Sequence, residues 1–115
     1  MADCIFCRIA AGEIPAKIVR RTDEMVAFHD LGPQAPVHVL VIPVKHLAAL
    51  RDARSPGDQA LLGRLVAFAA EVATELGLDA GGYRLVSNTG VDGGQTVGHL
   101  HFHLLGGRKM NWPPG

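Results

Sequence analysis

The segment His99, Leu100, His101, Phe102, His103, Leu104 and Leu105 sets three imidazoles at alternate positions among apolar side chains. That alternation is the period of a β-strand, in which neighbouring side chains point to opposite faces and residues two apart stand about 6.6 Å from one another. The rings would form a row while Leu100, Phe102 and Leu104 anchor the strand in a core. Imidazole changes charge close to neutral pH, so such a row can supply a nucleophile, a proton carrier or a metal ligand. Just upstream, Gly93 and Gly94 carry no Cβ, so their backbone N–H groups can approach a phosphate, and Asn88 and Thr96 can add side-chain donors. On turn statistics alone the same glycines fit a plain hairpin connection, and the histidine row beside them turns the reading toward phosphate or metal chemistry. Cys4 and Cys7 are a second candidate set, open on spacing alone to metal ligation, a redox pair or ordinary core packing.

These residues need a scaffold, and the chain is patterned for α+β. Cys4 to Ala11 predicts a short helix closed by Gly12, followed by strands over Ala16 to Arg21 and Glu24 to His29 across a turn at Thr22-Asp23. Val37 to Ile42 is β-branched and nearly all apolar, as in a central strand, and Pro43 is expected to stop it because proline cannot donate to the ladder. A short helix from His46 to about Ala53 comes next. Ser55-Pro56-Gly57-Asp58 combines an N-cap serine, a proline at the first helical position and an early acid, and Gly77 supplies a stop, which predicts a helix over 56–76. Leu61, Leu65, Phe68, Val72 and Leu76 make one apolar stripe, and Leu62, Val66, Ala69 and Ala73 make a second beside it. The second stripe exceeds what packing on one sheet requires and predicts a dimer interface. Strands over Tyr83 to Asn88 and Val97 to Leu105 complete the pattern.

Composition narrows the function class. At 115 residues the chain fits one domain, with 48% apolar residues but no continuous apolar run of about 18 to span a bilayer. Met1-Ala2-Asp3-Cys4 lacks the basic-then-apolar start of a signal peptide, so a soluble, cytoplasmic protein is expected. Eleven basic residues balance eleven acidic ones, which argues against nucleic acid as a partner and leaves small nucleotides open.

The histidine run has the pattern His-φ-His-φ-His-φ-φ, with φ apolar, and further matches extend along the chain. They are Gly12-Glu13-Ile14-Pro15-Ala16-Lys17, Ala27-Phe28-His29-Asp30, Gln34-Ala35-Pro36-Val37-His38, Val41-Ile42-Pro43-Val44-Lys45-His46, Asp92-Gly93-Gly94-Gln95 and Trp112-Pro113-Pro114-Gly115. Together they resemble the histidine triad nucleotide-binding proteins, in their purine nucleoside phosphoramidase branch. The resemblance implies an antiparallel sheet of about five strands with one long helix and one or two short ones, a homodimer, and a hydrolase of purine nucleoside 5′-phosphoramidates and related nucleotidyl conjugates. By position it makes His101 the nucleophile that carries a covalent nucleotidyl group, and it places His38 beside the triad and the Thr96 hydroxyl near the leaving group. His103, one step along the same face, can steady charge on the phosphate oxygens. His101 must donate its other ring nitrogen to an acceptor, for which the His99 carbonyl is available two residues back.

For the nucleoside, the resemblance gives Asp30 the ribose hydroxyls, and it lines the purine with Phe6, Ile9, Ile14, Phe28, His29 and Leu31. The reaction that the resemblance implies requires no cofactor for catalysis. The cysteine pair departs from animal members of the branch but is found in many bacterial ones, where it holds structural zinc, and the matching ligand positions are Cys4, Cys7, His46 and His99. Two rival readings remain at this level: a metal hydrolase in which His99, His101 and His103 jointly grip the ion, and a non-catalytic nucleotide-binding or interaction protein.

Overall fold

The computed structural model describes residues 3–115. Its element order is α1 (Ile5–Ala10), β1 (Ile18–Arg21), β2 (Met25–His29), β3 (Val37–Pro43), a 3-10 turn (Leu50–Asp52), α2 (Pro56–Glu75), β4 (Tyr83–Val86) and β5 (Phe102–Gly106). The strands form one five-stranded sheet in the order β1-β2-β3-β5-β4, and every pairing is antiparallel. No helix among the described residues is long and apolar enough to cross a membrane.

Period-2 alternation divides the sheet's side chains between two cores. Met25, Ala27, Val39, Val41, Phe102 and Leu104 face α2 and meet Leu61, Leu65, Phe68, Val72 and Ala73. Val26, Phe28, Leu40 and Ile42 face the other way and meet Phe6, Ile9 and Ala10 of α1. Full burial of a large apolar side chain contributes about 1.5–3 kcal/mol, so the α2 stripe is a major share of what holds the sheet flat against the helix. Because α1 is short it covers only the β2–β3 part of its face. The β5–β4 part is left open, and His103 sits there.

α2 begins and ends as the sequence dictates. The Ser55 hydroxyl accepts the Asp58 N–H at 3.0 Å, Pro56 occupies the first turn, and Gly77 takes φ +75° so that Leu78 N–H can reach the Ala73 carbonyl at 2.9 Å. The helix ends at Glu75 with Leu76 as its cap. Of the second stripe, Ala69 and Ala73 are fully buried in the core, against the expectation, because their small side chains let α2 settle close to the sheet. Only Val66 is left exposed, with Leu62 half-buried.

Pro43 stops β3 as expected, itself pairing with Met25 as the last strand residue, since a terminal strand position needs no further N–H. Two other expectations change. The helix expected from His46 to Ala53 is reduced to Leu50–Asp52. The strand expected from Val97 begins only at Phe102. Continuing the β3–β5 register would set Leu100 opposite Pro43, which has no N–H for the Leu100 carbonyl and whose own carbonyl takes the His99 Nε2–H; the Leu100 N–H goes instead to the Leu47 carbonyl at 2.6 Å. Similarly, β4 stops at Val86, and Ser87 uses its hydroxyl to reach the His101 carbonyl at 3.3 Å.

Candidate active site

The three histidines keep to one side of the chain although only His103 lies in a paired strand. Leu100, Phe102 and Leu104 point into the α2 core. His101 sits edge-on between Phe6, at 5.2 Å between ring centroids, and His103, at 5.0 Å. Each ring has a partner that fixes its tautomer.

A carbonyl can only accept, so the 2.7 Å contact between His101 Nδ1 and the His99 carbonyl makes Nδ1 the donor. Neutral His101 then carries its lone pair on Nε2, which has no hydrogen-bond partner among the described residues. His103 is fixed by a longer chain. The Gln34 backbone N–H donates to His38 Nδ1 at 3.0 Å, so neutral His38 holds its proton on Nε2 and offers it to His103 Nδ1 at 2.8 Å. His103 must therefore carry its own proton on Nε2. The two working nitrogens thus have opposite character, a bare one on His101 and a protonated one on His103.

Burial pushes His103 below the ordinary imidazole pKa, and neighbouring His101 and His38 push it the same way. Burial likewise lowers His38, opposed by the Asp30 carboxylate 3.4 Å from its Nε2. Both rings are held neutral near pH 7, as the tautomer chain requires. The other Asp30 oxygen accepts the Gly32 N–H at 2.7 Å.

His99 belongs to a different centre. It is fully buried, donates Nε2–H to the Pro43 carbonyl at 2.8 Å and so presents a bare Nδ1 to Cys4 Sγ at 3.3 Å, Cys7 Sγ at 3.5 Å and His46 Nδ1 at 3.2 Å. The four ligand atoms lie within 4.8 Å of one another. A tetrahedral zinc with bonds of about 2.0–2.3 Å has ligand–ligand edges of about 3.3–3.8 Å, so donor types and spacing fit such an ion. Burial and the neighbouring Cys4 raise the Cys7 thiol. His99, His101 and His103 do not converge on one point: the nitrogens of His99 serve Pro43 and the cysteine cluster, and Nδ1 of His103 serves His38. The geometry disagrees with a single metal held by all three.

The predicted purine-wall residues Phe6, Ile9, Ile14, Phe28, His29 and Leu31 line one cavity of about 280 Å³ together with Asp30. Lys17, Leu40 and Val97 also line it and were not anticipated. Asn88 lies with His103 along a second cleft, of about 420 Å³. Thr96 is exposed in a hollow shared with Cys4 and His46. At Gly94 the glycine loop is built differently from expectation. Gly94 N–H is used inside the turn, on the Val91 carbonyl at 3.0 Å. A Cβ on Gly93 would strike the Thr89 backbone carbonyl. These glycines close the loop on itself, and Asn88 braces it by donating to the Gly93 carbonyl at 2.6 Å.

The family model for the HIT domain, named for the histidine triad, matches residues 11–110. This chain belongs to the HIT family. An uncharacterized HIT-like protein of Synechocystis is 55% identical over 113 residues, covering 98% of this chain and 97% of that one. The crystal structure of a HIT family hydrolase from Legionella pneumophila superposes with a TM-score of 0.94 at 50% identity, covering 98% of this chain and 100% of that one. A histidine triad nucleotide-binding protein from Candida albicans gives a TM-score of 0.81 at 34% identity, covering 96% and 83%. The antiparallel sheet, its helices and the histidine run of this HIT protein agree with that membership.

Sequence reading missed Gln34, Arg84 and Arg108. Gln34 acts through its backbone N–H, which carries no side-chain signal. Arg84 reaches the His103 cleft because β4 pairs with β5, and Arg108 because the segment after β5 is tied back to the Gln34 carbonyl.

Proposed function

We propose that this HIT protein hydrolyses purine nucleoside 5′-phosphoramidates and related nucleotidyl conjugates through a nucleotidyl-His101 intermediate. The observation that carries the reading is the 2.7 Å contact from His101 Nδ1 to the His99 carbonyl, which leaves Nε2 bare beside a protonated His103 Nε2. In the first step His101 Nε2 bonds to the α-phosphorus as the P–N bond breaks. The departing nitrogen takes a proton through the Thr96 hydroxyl or the histidine network, and the water of the second step gives that proton back. His103 Nε2–H steadies charge on the phosphate oxygens, with Asn88 beside it. Water then cleaves the P–His bond, releasing nucleoside monophosphate and freeing His101. The base sits in the apolar cavity walled by Phe6, Ile9, Ile14 and Phe28, and Asp30 accepts the ribose hydroxyls.

In this reading Cys4, Cys7, His46 and His99 hold a structural zinc that ties α1 to the segment before β5, outside the chemistry. A homodimer through the exposed Val66 side of α2 and the open edge of β4 completes the proposal. The experiment is a rapid quench of enzyme with adenosine 5′-phosphoramidate, followed by mass analysis of the peptide containing His101. A nucleotidyl adduct on that peptide, absent from His101→Ala, is expected. Turnover with no adduct, or turnover by His101→Ala, overturns the mechanism.

A further inference from the structure

The cleft on the far side of His103 from the nucleoside cavity has a charge that the reaction above does not use. β4 and β5 place Val86 opposite His103 and Arg84 opposite Leu105, while β3 places His38 opposite Leu105 from the other side. Arg84 is therefore the diagonal neighbour of His103 on the same face, and such neighbours stand about 7–8 Å apart between backbones. Arg108, from the segment after β5, lines the same cleft.

No Asp or Glu lines this cleft of about 420 Å³. Neither guanidinium has a carboxylate within ion-pair distance among the described residues, although Arg20, Arg64 and Lys45 each have one. Arg84 donates to the Asn111 carbonyl at 2.9 Å, and Arg108 donates to the carbonyls of Gln34 at 2.9 Å and Lys109 at 3.2 Å. A guanidinium carries five N–H donors in a planar fork, so these backbone contacts hold both groups in place while leaving donors over. Two tethered cations with no carboxylate partner among the described residues, in a concave site without an Asp or Glu side chain beside the β4 edge assigned above to the dimer, make an anion receptor.

Resting on the hydrolase reading, we propose that Arg84 and Arg108 form a leaving-group subsite that selects conjugates whose departing group bears a negative charge, such as an amino acid joined to phosphorus through its amine. The α-phosphate lies against His101 and His103, and Arg84 stands one alternate strand position farther. A carboxylate a few bonds beyond the scissile P–N bond reaches that position. Bond making and breaking are unchanged: His101 Nε2–P forms, P–N breaks, the nitrogen gains a proton, and the amino acid departs with its carboxylate ionised.

The test compares adenosine 5′-phosphoramidates of glutamate, glycine and glycinamide, with ADP as the arm whose leaving group is phosphate. kcat/KM is expected to rise from glycinamide to glycine to glutamate, and Arg84→Gln and Arg108→Gln to lower it for the charged conjugates by about 10- to 100-fold while sparing glycinamide. A larger loss on ADP than on glutamate assigns the subsite to a phosphate rather than a carboxylate anion. Equal losses on glutamate and glycinamide conjugates overturn the proposal, because the arginines would then serve the α-phosphate or the fold. Binding of the glutamate and glycinamide conjugates to His101→Ala reads the subsite without turnover. Absence of a glutamate preference there also overturns it, whereas failure of the wild type to turn over any conjugate overturns the hydrolase reading alone.

Discussion

His38 Nε2 donates to His103 Nδ1 across 2.8 Å, and the direction of that bond is set by a backbone N–H at Gln34 on the far side of the His38 ring. A residue outside the triad thereby fixes which nitrogen of His103 carries a proton. Replacing His38 with Ala removes the donor, freeing His103 to adopt the other tautomer and turn a bare nitrogen toward the phosphate. His38→Ala should lower kcat by about 10- to 100-fold with a much smaller change in KM, measured on adenosine 5′-phosphoramidate. An unchanged kcat would show that His103 keeps its tautomer unaided.

Acid should destabilise the fold through the same pair. Burial holds the folded His38 and His103 below the ordinary imidazole value of 6.5, so the unfolded chain binds more protons as pH falls. Their contribution is complete above about pH 6.5 and is lost as pH drops through 6.5 toward the folded values, with a slope of up to about 1.4 kcal/mol per pH unit for each ring. Urea midpoints from pH 8 to pH 5 should show this fall. In His38→Asn the slope should be shallower, and an equal slope would place the proton uptake elsewhere.

Removing metal should act on stability before chemistry. A zinc at Cys4, Cys7, His46 and His99 stabilises by binding only the folded form, and a loss of about 3 kcal/mol corresponds to a fall in Tm of about 10 °C in a chain of this size. Chelation is expected to produce that shift while His101 still acquires its nucleotidyl group below the new midpoint. Simultaneous loss of labelling and of metal at a temperature where the fold persists would instead make the ion catalytic.

The strand that carries His103 depends on Leu104, which is fully buried against α2. Leu104→Ala should cost about 2–5 kcal/mol in urea unfolding, since little around it can collapse to fill the space. The variant should retain the His101 adduct at low temperature, because the ring contacts lie on the opposite face of the strand.

In the loop before the triad, Gly93→Ala should destabilise by about 1–3 kcal/mol, because its Cβ would strike the Thr89 backbone. Gly94→Ala meets open space but is held at φ +75°, which costs about 1–2 kcal/mol for a residue with a Cβ. Thermal melts of both variants check the loop as a self-bracing turn; a neutral Gly93→Ala would show that the turn opens freely.

Local pattern was enough for much of this protein. Ser55, Pro56 and Gly77 mark the ends of α2 because caps depend on a few adjacent residues. The alternation from His99 to Leu105 separates imidazoles from core even where strand pairing is lost, because side chains alternate along any extended backbone. The Cys4 and Cys7 spacing and the residues of the apolar cavity were also legible, through resemblance to the histidine triad proteins. Contacts between distant segments were decided only by the tertiary structure. Pro43 denies Leu100 a ladder partner, so β5 starts late. Small Ala69 and Ala73 of α2 are buried against the sheet, so less of the helix face is left for a second chain. Gln34, His38 and His103 join into one proton-ordered chain, and β4 delivers Arg84 beside His103. Sequence determines which side chains share a face, because that follows from backbone period. Which nitrogen holds a proton, and which charge stands near phosphorus, depends on partners that only the packed sheet brings within hydrogen-bond reach.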